Sequence, residues 1–387
     1  MHGFVRSDVT LENWRTAPFS RWSFRNVPEL LPVSMISGAA ATEEPVASPG
    51  LFEGLSVRHP AEGSIAAVEH FRRSHADEYL AMRDGVVLDR WVAPHAEPDR
   101  PHIVFSISKS ITGLLAGIAV GDGVLDVDAP VARHVETRKG GAYADATVRN
   151  LLDMTVSLDF EEDYLDRTGP FDRYRRAMLW NPGRPDAPEE TMAEVLADLP
   201  RKAHGHGKVF YYASPNTDMM GLVLEKATGQ RFSAYLRERL WKPMGARGAA
   251  WVTVDRAGAA RAAGGVCLTA SDLARIGQLV LDGGRAQDGT QVVPSRWIDD
   301  IRSNGDRHAW TEGNFAADFP DGRYRSFWYD VGDRRGSFCA VGIHGQWLWV
   351  DPTSRAVLVR LSSRPEPSDD RLSAIERDVL AQIARAV

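Results

Sequence analysis

The sequence of 387 residues is poor in cysteine and lysine, and it has no long apolar run. Two cysteines, Cys267 and Cys339, cannot build a disulfide framework or a cysteine-based zinc site. Each reads as a small buried hydrophobe, and so low a count fits a reducing compartment. Without a stretch of about 20 apolar residues, no helical membrane span is expected. Met1 to Trp14 lacks a basic segment followed by an apolar one, so it does not read as a signal peptide and a cytoplasmic location is expected. Lysine supplies only six of the 46 basic residues, and 52 acidic residues outnumber them for a net charge of −6. The chain therefore lacks the basic excess of a general nucleic-acid binder. It also lacks internal repeats and low-complexity tracts.

Core-forming material is plentiful. Hydrophobic residues make up 43% and charged residues 25%, as in an ordinary globular protein. The length fits two to three domains, or one large catalytic unit. Residues 1–50 have little periodicity, but Trp14, Trp22, Phe24, Leu30 and Leu31 suit an arm packed on the body. Ala39–Pro49 reads as a linker. Ile65–Arg73 is expected to be a helix. Two β-prone runs between Tyr79 and Val92 flank Asp84-Gly85, a hairpin signal because both turn positions need positive φ. Ile111, Leu114, Leu115 and Ile118 repeat at helical spacing, predicting a buried helix from Ile107 to Val120 that stops at Gly121-Asp122-Gly123.

Between 121 and 240 the signals are loops and helices, clearest at Glu189–Leu199 and Thr217–Ala227, with Ser214-Pro215 as a helix start. Thr269 opens a further helix to Leu281, closed by Gly283-Gly284. Ala340–Val350 and Ala356–Leu361 are β-rich around a turn at Asp351-Pro352, and Arg371–Ala386 reads as a closing helix. The pattern is a sheet built from both ends of the chain with a mainly helical insert.

One short motif carries chemistry. Ser106-Ile107-Ser108-Lys109 puts a serine and a lysine three apart, on one face at the start of the buried helix. The helix N-terminus adds positive dipole near the serine oxygen. Serine is a weak nucleophile until a base takes its proton, and burial can lower a lysine's pKa enough to do so. The bland alternative is a capping serine and a snorkelling lysine. Against it, an ammonium within an apolar helix is costly unless it has a task. Tyr212 precedes the helix start at Ser214 and can project a phenol into a cleft; alone it would read as structural. Gly342-Ile343-His344-Gly345-Gln346 lies on a predicted strand, where glycine marks a close backbone approach and an edge N–H could join the helix-start N–H in binding an oxyanion. His204-Gly205-His206 lacks the spacing and glutamate of a zinc helix and reads as a surface loop, so no metal and no cofactor are expected.

Together these residues resemble the serine β-lactamase and penicillin-recognising superfamily, with class C β-lactamases and family VIII carboxylesterases as the nearest broad groups. The chain is more closely similar to the 6-aminohexanoate-dimer hydrolase family. The resemblance runs from Trp14, Trp22 and Leu30-Leu31-Pro32 through Ser106–Ser110, Glu162-Asp163-Tyr164, Tyr212-Ala213-Ser214 and Asn216-Thr217-Asp218. It continues through Gly264-Gly265-Val266, Asp272–Arg275 and Gly342–Gln346 to Leu361-Ser362-Ser363. It implies an α/β (α+β) fold with a central antiparallel sheet flanked by helices plus a mainly helical lobe. Residues 1–387 would be one two-lobed catalytic unit, with 1–110 and 245–387 as the α/β lobe and 111–244 as the helical one.

It further implies that Ser106 is the nucleophile, that Lys109 and Tyr212 share the base and acid work, and that the N–H groups of Ser106 and Ile343 form the oxyanion hole. Tyr164 matches a tyrosine on a loop closing over the substrate amide. Asp172 is the candidate for the acidic residue holding a substrate amine, and Trp328 for an aromatic lining the pocket. A homodimer and a small amide or ester substrate are the implied partners. Two departures from the penicillin-recognising pattern, Ser214 for asparagine and His344-Gly345-Gln346 for Lys-Thr-Gly, argue against efficient β-lactam hydrolysis; the 6-aminohexanoate-dimer hydrolases share both. Those hydrolases carry asparagine where Ala263 stands, which implies a shifted specificity, and His344 and Ala263 join the candidate substrate-binding residues. The alternatives are a short-chain carboxylesterase without activity on nylon oligomers, a β-lactam-recognising protein, or a non-enzymatic binding protein of the same fold.

Overall fold

A seven-stranded antiparallel sheet forms the centre of the computed structural model, which describes residues 3–38 and 44–387. Its strands run in the order Val86–Val92, Ala76–Arg83, Ala356–Ser362, Gln346–Asp351, Phe338–Gly342, Trp328–Asp330 and Arg323–Arg325. Chain segments from both ends meet in it, because Ala356–Ser362 pairs with Ala76–Arg83. The middle strands are buried along their whole length, so both faces are covered. On one face lies the helix Ala270–Leu281, whose Gly277 lets it approach Val357 and Leu348. On the other lies Asp370–Ala386, tied by Glu376 to Arg360 of the sheet at 3.1 Å. The hairpin at its edge turns through Asp84 (φ 50°) and Gly85 (φ 77°), the left-handed pair the sequence requires there.

A second sheet of four antiparallel strands runs Val33–Ser37, Ala250–Thr253, Val266–Leu268 and His102–Ile103. Its first strand belongs to the N-terminal arm, which packs on the body with Trp14 and Phe24 fully buried. The expected linker begins at Ala39–Glu43, which lie outside the described residues. The stretch between His102–Ile103 and Ala250–Thr253 contains helices and loops and no named strand. Ile107–Gly121 and Ser214–Thr228 are its long helices and pack against each other.

Local differences from expectation have local causes. Strand Gly63–Ala66 takes the first residues of the expected 65–73 helix, which begins at Ala67. The helix expected over 189–199 is cut to Met192–Ala197 by the Thr191 capping box at its start. The run 340–350 is two strands, broken by a tight turn at Ile343–Gly345 in which His344 takes φ 61°. Ile343 therefore sits on a turn and not within a strand. Both cysteines are buried and unpaired. Among the described residues, no helix is long and apolar enough to cross a membrane.

Candidate active site

Ser106 follows the short strand His102–Ile103 and directly precedes the helix Ile107–Gly121. The connection is tight. Phe105 is held at φ 45°, the left-handed region that a phenylalanine occupies only under constraint from its surroundings. That constraint is packing, since Phe105 is buried against Phe24, Trp180 and His344. The bend leaves Ser106 half-buried at the mouth of a cleft while the helix behind it is buried from Ile107 to Ala119.

Lys109 lies one turn into this helix and is buried. Its ammonium donates to Ser106 Oγ at 2.8 Å and to the Ala263 carbonyl at 2.8 Å. Burial pushes its pKa from 10.5 down to about 7, opposed in part by the charge of Glu162. Asp218 holds the same residue by accepting the Ala263 N–H at 2.8 Å. Asp218 is itself fully buried and held by Arg261 and the Tyr174 hydroxyl. Asp218 and Lys109 thus grip the two sides of one residue, Ala263, and the lysine is aimed by a backbone segment that Asp218 holds in place.

Tyr212 faces the cleft beside Ser106, and its ring lies 4.9 Å from Lys109 Nζ. Burial raises its phenol well above the ordinary range, so it keeps its proton at neutral pH. Tyr164 lines the same cleft and donates its hydroxyl to Glu162 Oε1 at 2.8 Å. Glu162 also accepts from the Ser214 N–H and hydroxyl, each at 2.7 Å. Ser214 therefore anchors the loop that carries Tyr164.

Two cavities meet at Ser106. An outer cleft of about 110 Å³ is lined by Tyr164, Tyr212, Phe315, Ile343 and Trp347, with Asp318, Asp370, Arg364 and Arg377 toward one end. An inner cavity of about 20 Å³ runs past Tyr164 and Ile343 to Arg175, Trp180 and Arg261. Ile343 reaches Ser106 because Gly342 has no side chain: a Cβ there would stand 2.6 Å from the Val104 carbonyl oxygen. The glycine's close approach is thus to the backbone leading into Ser106.

Of the expected site residues, Ser106, Lys109, Tyr212, Tyr164, Ile343 and Ala263 come together here. Three others do not. His344 packs between Phe24 and Phe105 and holds the Arg364 carbonyl through Nδ1 at 2.8 Å. Trp328 is buried with its indole N–H on the Ser110 carbonyl at 3.2 Å, and Trp347 takes the place on the cleft wall. Asp172 is buried against Arg176 at 3.1 Å, Arg184 at 3.4 Å and Asn181 at 2.8 Å, and it reaches neither cavity.

Glu162, Asp218, Arg175 and Arg261 were not singled out as functional from sequence. Asp218 carried a signal, standing four residues after Ser214 on one helix face. His204 and His206 lie in a loop, where His206 accepts the Ser157 N–H at 2.9 Å. Among the described residues, no group of three or more metal-ligating side chains exists.

Comparison with known proteins gives the chain a family and full-length relatives. Residues 68–383 match the family described as Beta-lactamase. A 6-aminohexanoate-dimer hydrolase from Paenarthrobacter ureafaciens is 35% identical over all of this chain and 96% of its own length. A Bacillus anthracis protein assigned provisionally as a 6-aminohexanoate-dimer hydrolase superposes with a TM-score of 0.88 at 22% identity, over 98% of this chain and 97% of that one. A D-stereospecific amidohydrolase from Streptomyces sp. shares the fold with a TM-score of 0.58 at 18% identity, over 81% and 98%. The chain belongs to the β-lactamase family and is a serine hydrolase, related over its whole length to a 6-aminohexanoate-dimer hydrolase.

Proposed function

We propose that the chain acts as one two-lobed catalytic unit that hydrolyses small amides and carboxylic esters through an acyl-enzyme on Ser106. The observation that carries this reading is the contact between Lys109 Nζ and Ser106 Oγ at 2.8 Å, with the lysine's pKa brought to about 7 by burial. A lysine neutral in part near pH 7 takes the serine proton as Oγ attacks the substrate carbonyl. The N–H groups of Ser106 and Ile343 receive the oxygen's developing charge. Tyr212, which keeps its phenolic proton, passes one to the departing nitrogen or oxygen, with Lys109 resupplying it. Tyr164 closes the cleft over the scissile bond. Water then repeats the attack on the acyl-serine with the same base.

The linear dimer of 6-aminohexanoate, the substrate in the relative's name, is the reference substrate. A carboxylesterase reading is favoured by one observation: Asp172, the candidate for holding the dimer's amine, is already neutralised by two arginines. The experiment measures amine release from the dimer and phenol release from short p-nitrophenyl esters, with Ser106→Ala as control. Turnover of either that Ser106→Ala abolishes supports the mechanism; turnover that survives Ser106→Ala overturns it.

A further inference from the structure

The inner cavity holds a buried cation that, among the described residues, forms no ion pair. Arg175 sits on the helix Pro170–Ala177, is buried, and lines this cavity together with Arg261 and Ser106. Nearby arginines are paired: Arg173 with Glu190, Arg176 with Asp172, and Arg261 with Asp218. Among the described residues, Arg175 pairs with no carboxylate. It donates to the Tyr164 carbonyl at 2.8 Å and rests 4.2 Å from the Phe171 ring centre.

Arg261 spends Nη1 on Asp218 and Tyr174, and its Nε is buried without a partner. Glu162 is the one carboxylate on the cavity wall, and it is already engaged by Tyr164 and Ser214. Arg15 stands behind this wall. Burial and the charges of Arg175, Arg167 and Arg261 push its pKa well below the ordinary value. Buried guanidinium donors without partners are costly, and a ligand carboxylate would satisfy them with charge-assisted bonds.

The cavities also assign the two halves of a substrate. Tyr212, the proton donor to the leaving group, lines the outer cleft and not the inner cavity. The leaving group therefore departs through the outer cleft, and the acyl group points into the inner cavity, which at about 20 Å³ has room for about one water and must widen to admit it.

We propose that the inner cavity is an acyl subsite for a carboxylate, anchored by Arg175 with Arg261 Nε as a second donor, so that the preferred substrates are monoamides or monoesters of short dicarboxylic acids. This inference rests on the Ser106 acyl-enzyme reading. Ser106 Oγ bonds to the acyl carbon, the C–N or C–O bond breaks, and the leaving amine or alcohol takes up the serine proton. Water then releases the dicarboxylic acid and restores the serine. An acyl chain ending in an ammonium meets like charge at the same point.

The test uses the full chain and two series, p-nitroanilides and phenyl esters, each with succinyl, butyryl and β-alanyl acyl groups of comparable length. The expected order of kcat/KM is succinyl above butyryl by about tenfold or more, with β-alanyl slowest. In Arg175→Gln the succinyl-to-butyryl ratio falls toward one. Butyryl as good as succinyl in the wild type, or an unchanged ratio in Arg175→Gln, overturns the proposal. If Arg175→Gln fails to fold, calorimetric binding of succinate and butyrate to the wild type decides: succinate is expected to bind at least about tenfold tighter, and equal binding overturns the proposal. No turnover in either series would sink the Ser106 reading, and the same calorimetry would still judge the subsite by itself.

Discussion

Two buried cations share the surroundings of Ser106, and burial gives them different chemistry. Desolvation lowers Lys109 to about 7 and Arg175 to about 10. At neutral pH the first is poised to lose its proton and the second keeps its charge. Lysine enters burial from 10.5 and arginine from 12.5, so a similar environment turns one into a base and the other into a fixed positive point. In a chain with six lysines among 46 basic residues, a titratable cation at this site is specific to position 109.

Exchanging the two kinds of cation separates charge from proton transfer. Lys109→Arg keeps the charge and removes the ability to accept a proton near pH 7. It is expected to lower kcat by about 10³-fold. Activity within tenfold of wild type would show that charge, not proton transfer, is what position 109 supplies. The wild-type kcat/KM should rise with pH through about 7 as Lys109 becomes neutral.

Stability should run with the same sign. The unfolded lysine holds its proton up to about 10.5 and the folded one only to about 7, so between these values the unfolded state binds more protons. The cost of burying the ammonium is full below pH 7 and fades toward 10.5. Lys109→Met should therefore be inactive yet more stable, by about 1–4 kcal/mol at pH 6. Denaturant titrations at pH 6 and 9 should show that gain shrinking at the higher pH.

The motif and the sheet-forming ends are legible in the sequence because both leave local marks. Ser106 and Lys109 are spaced by one helical turn, and Asp84-Gly85 announces its turn by residue type. The arm's Trp14 and Phe24 betrayed burial by their size. The cavity walls left no such marks. Arg175 is one of many arginines, and its setting among Tyr164, Phe171 and Arg261, with no carboxylate among the described residues paired to it, arises only on folding. Trp328 and Trp347 are equally aromatic, and strand register alone decides which faces the cleft. His344, a candidate substrate-binding residue, lies in a run that reads as a strand. The turn at Ile343–Gly345 sends it into the core instead.

A smaller effect is expected from Glu162→Gln. The substitution keeps a hydrogen-bond acceptor for Tyr164 or Ser214 but removes the negative charge that both groups solvate. It also removes a charge that raises the pKa of Lys109, so the rise of kcat/KM should move to lower pH. The loss in kcat at the new optimum should be about tenfold, from a less firmly held Tyr164. A rise in activity shifted to higher pH would contradict the assigned electrostatics.

The smallest effect separates the cavity from its supports. Asp172 is buried with two arginines and Asn181, outside both cavities. Asp172→Asn should lower stability by about 1–2 kcal/mol, seen as an earlier denaturant midpoint. It should leave the ratio of succinyl to β-alanyl turnover unchanged, because the charge that reads the acyl chain is on Arg175. If this ratio shifts toward succinyl while stability holds, Asp172 is felt by the substrate and the inner cavity is less cationic than its lining suggests. An unchanged ratio with lowered stability would make Asp172 a support for the helix that presents Arg175, and would leave charge selection to the pair Arg175 and Arg261.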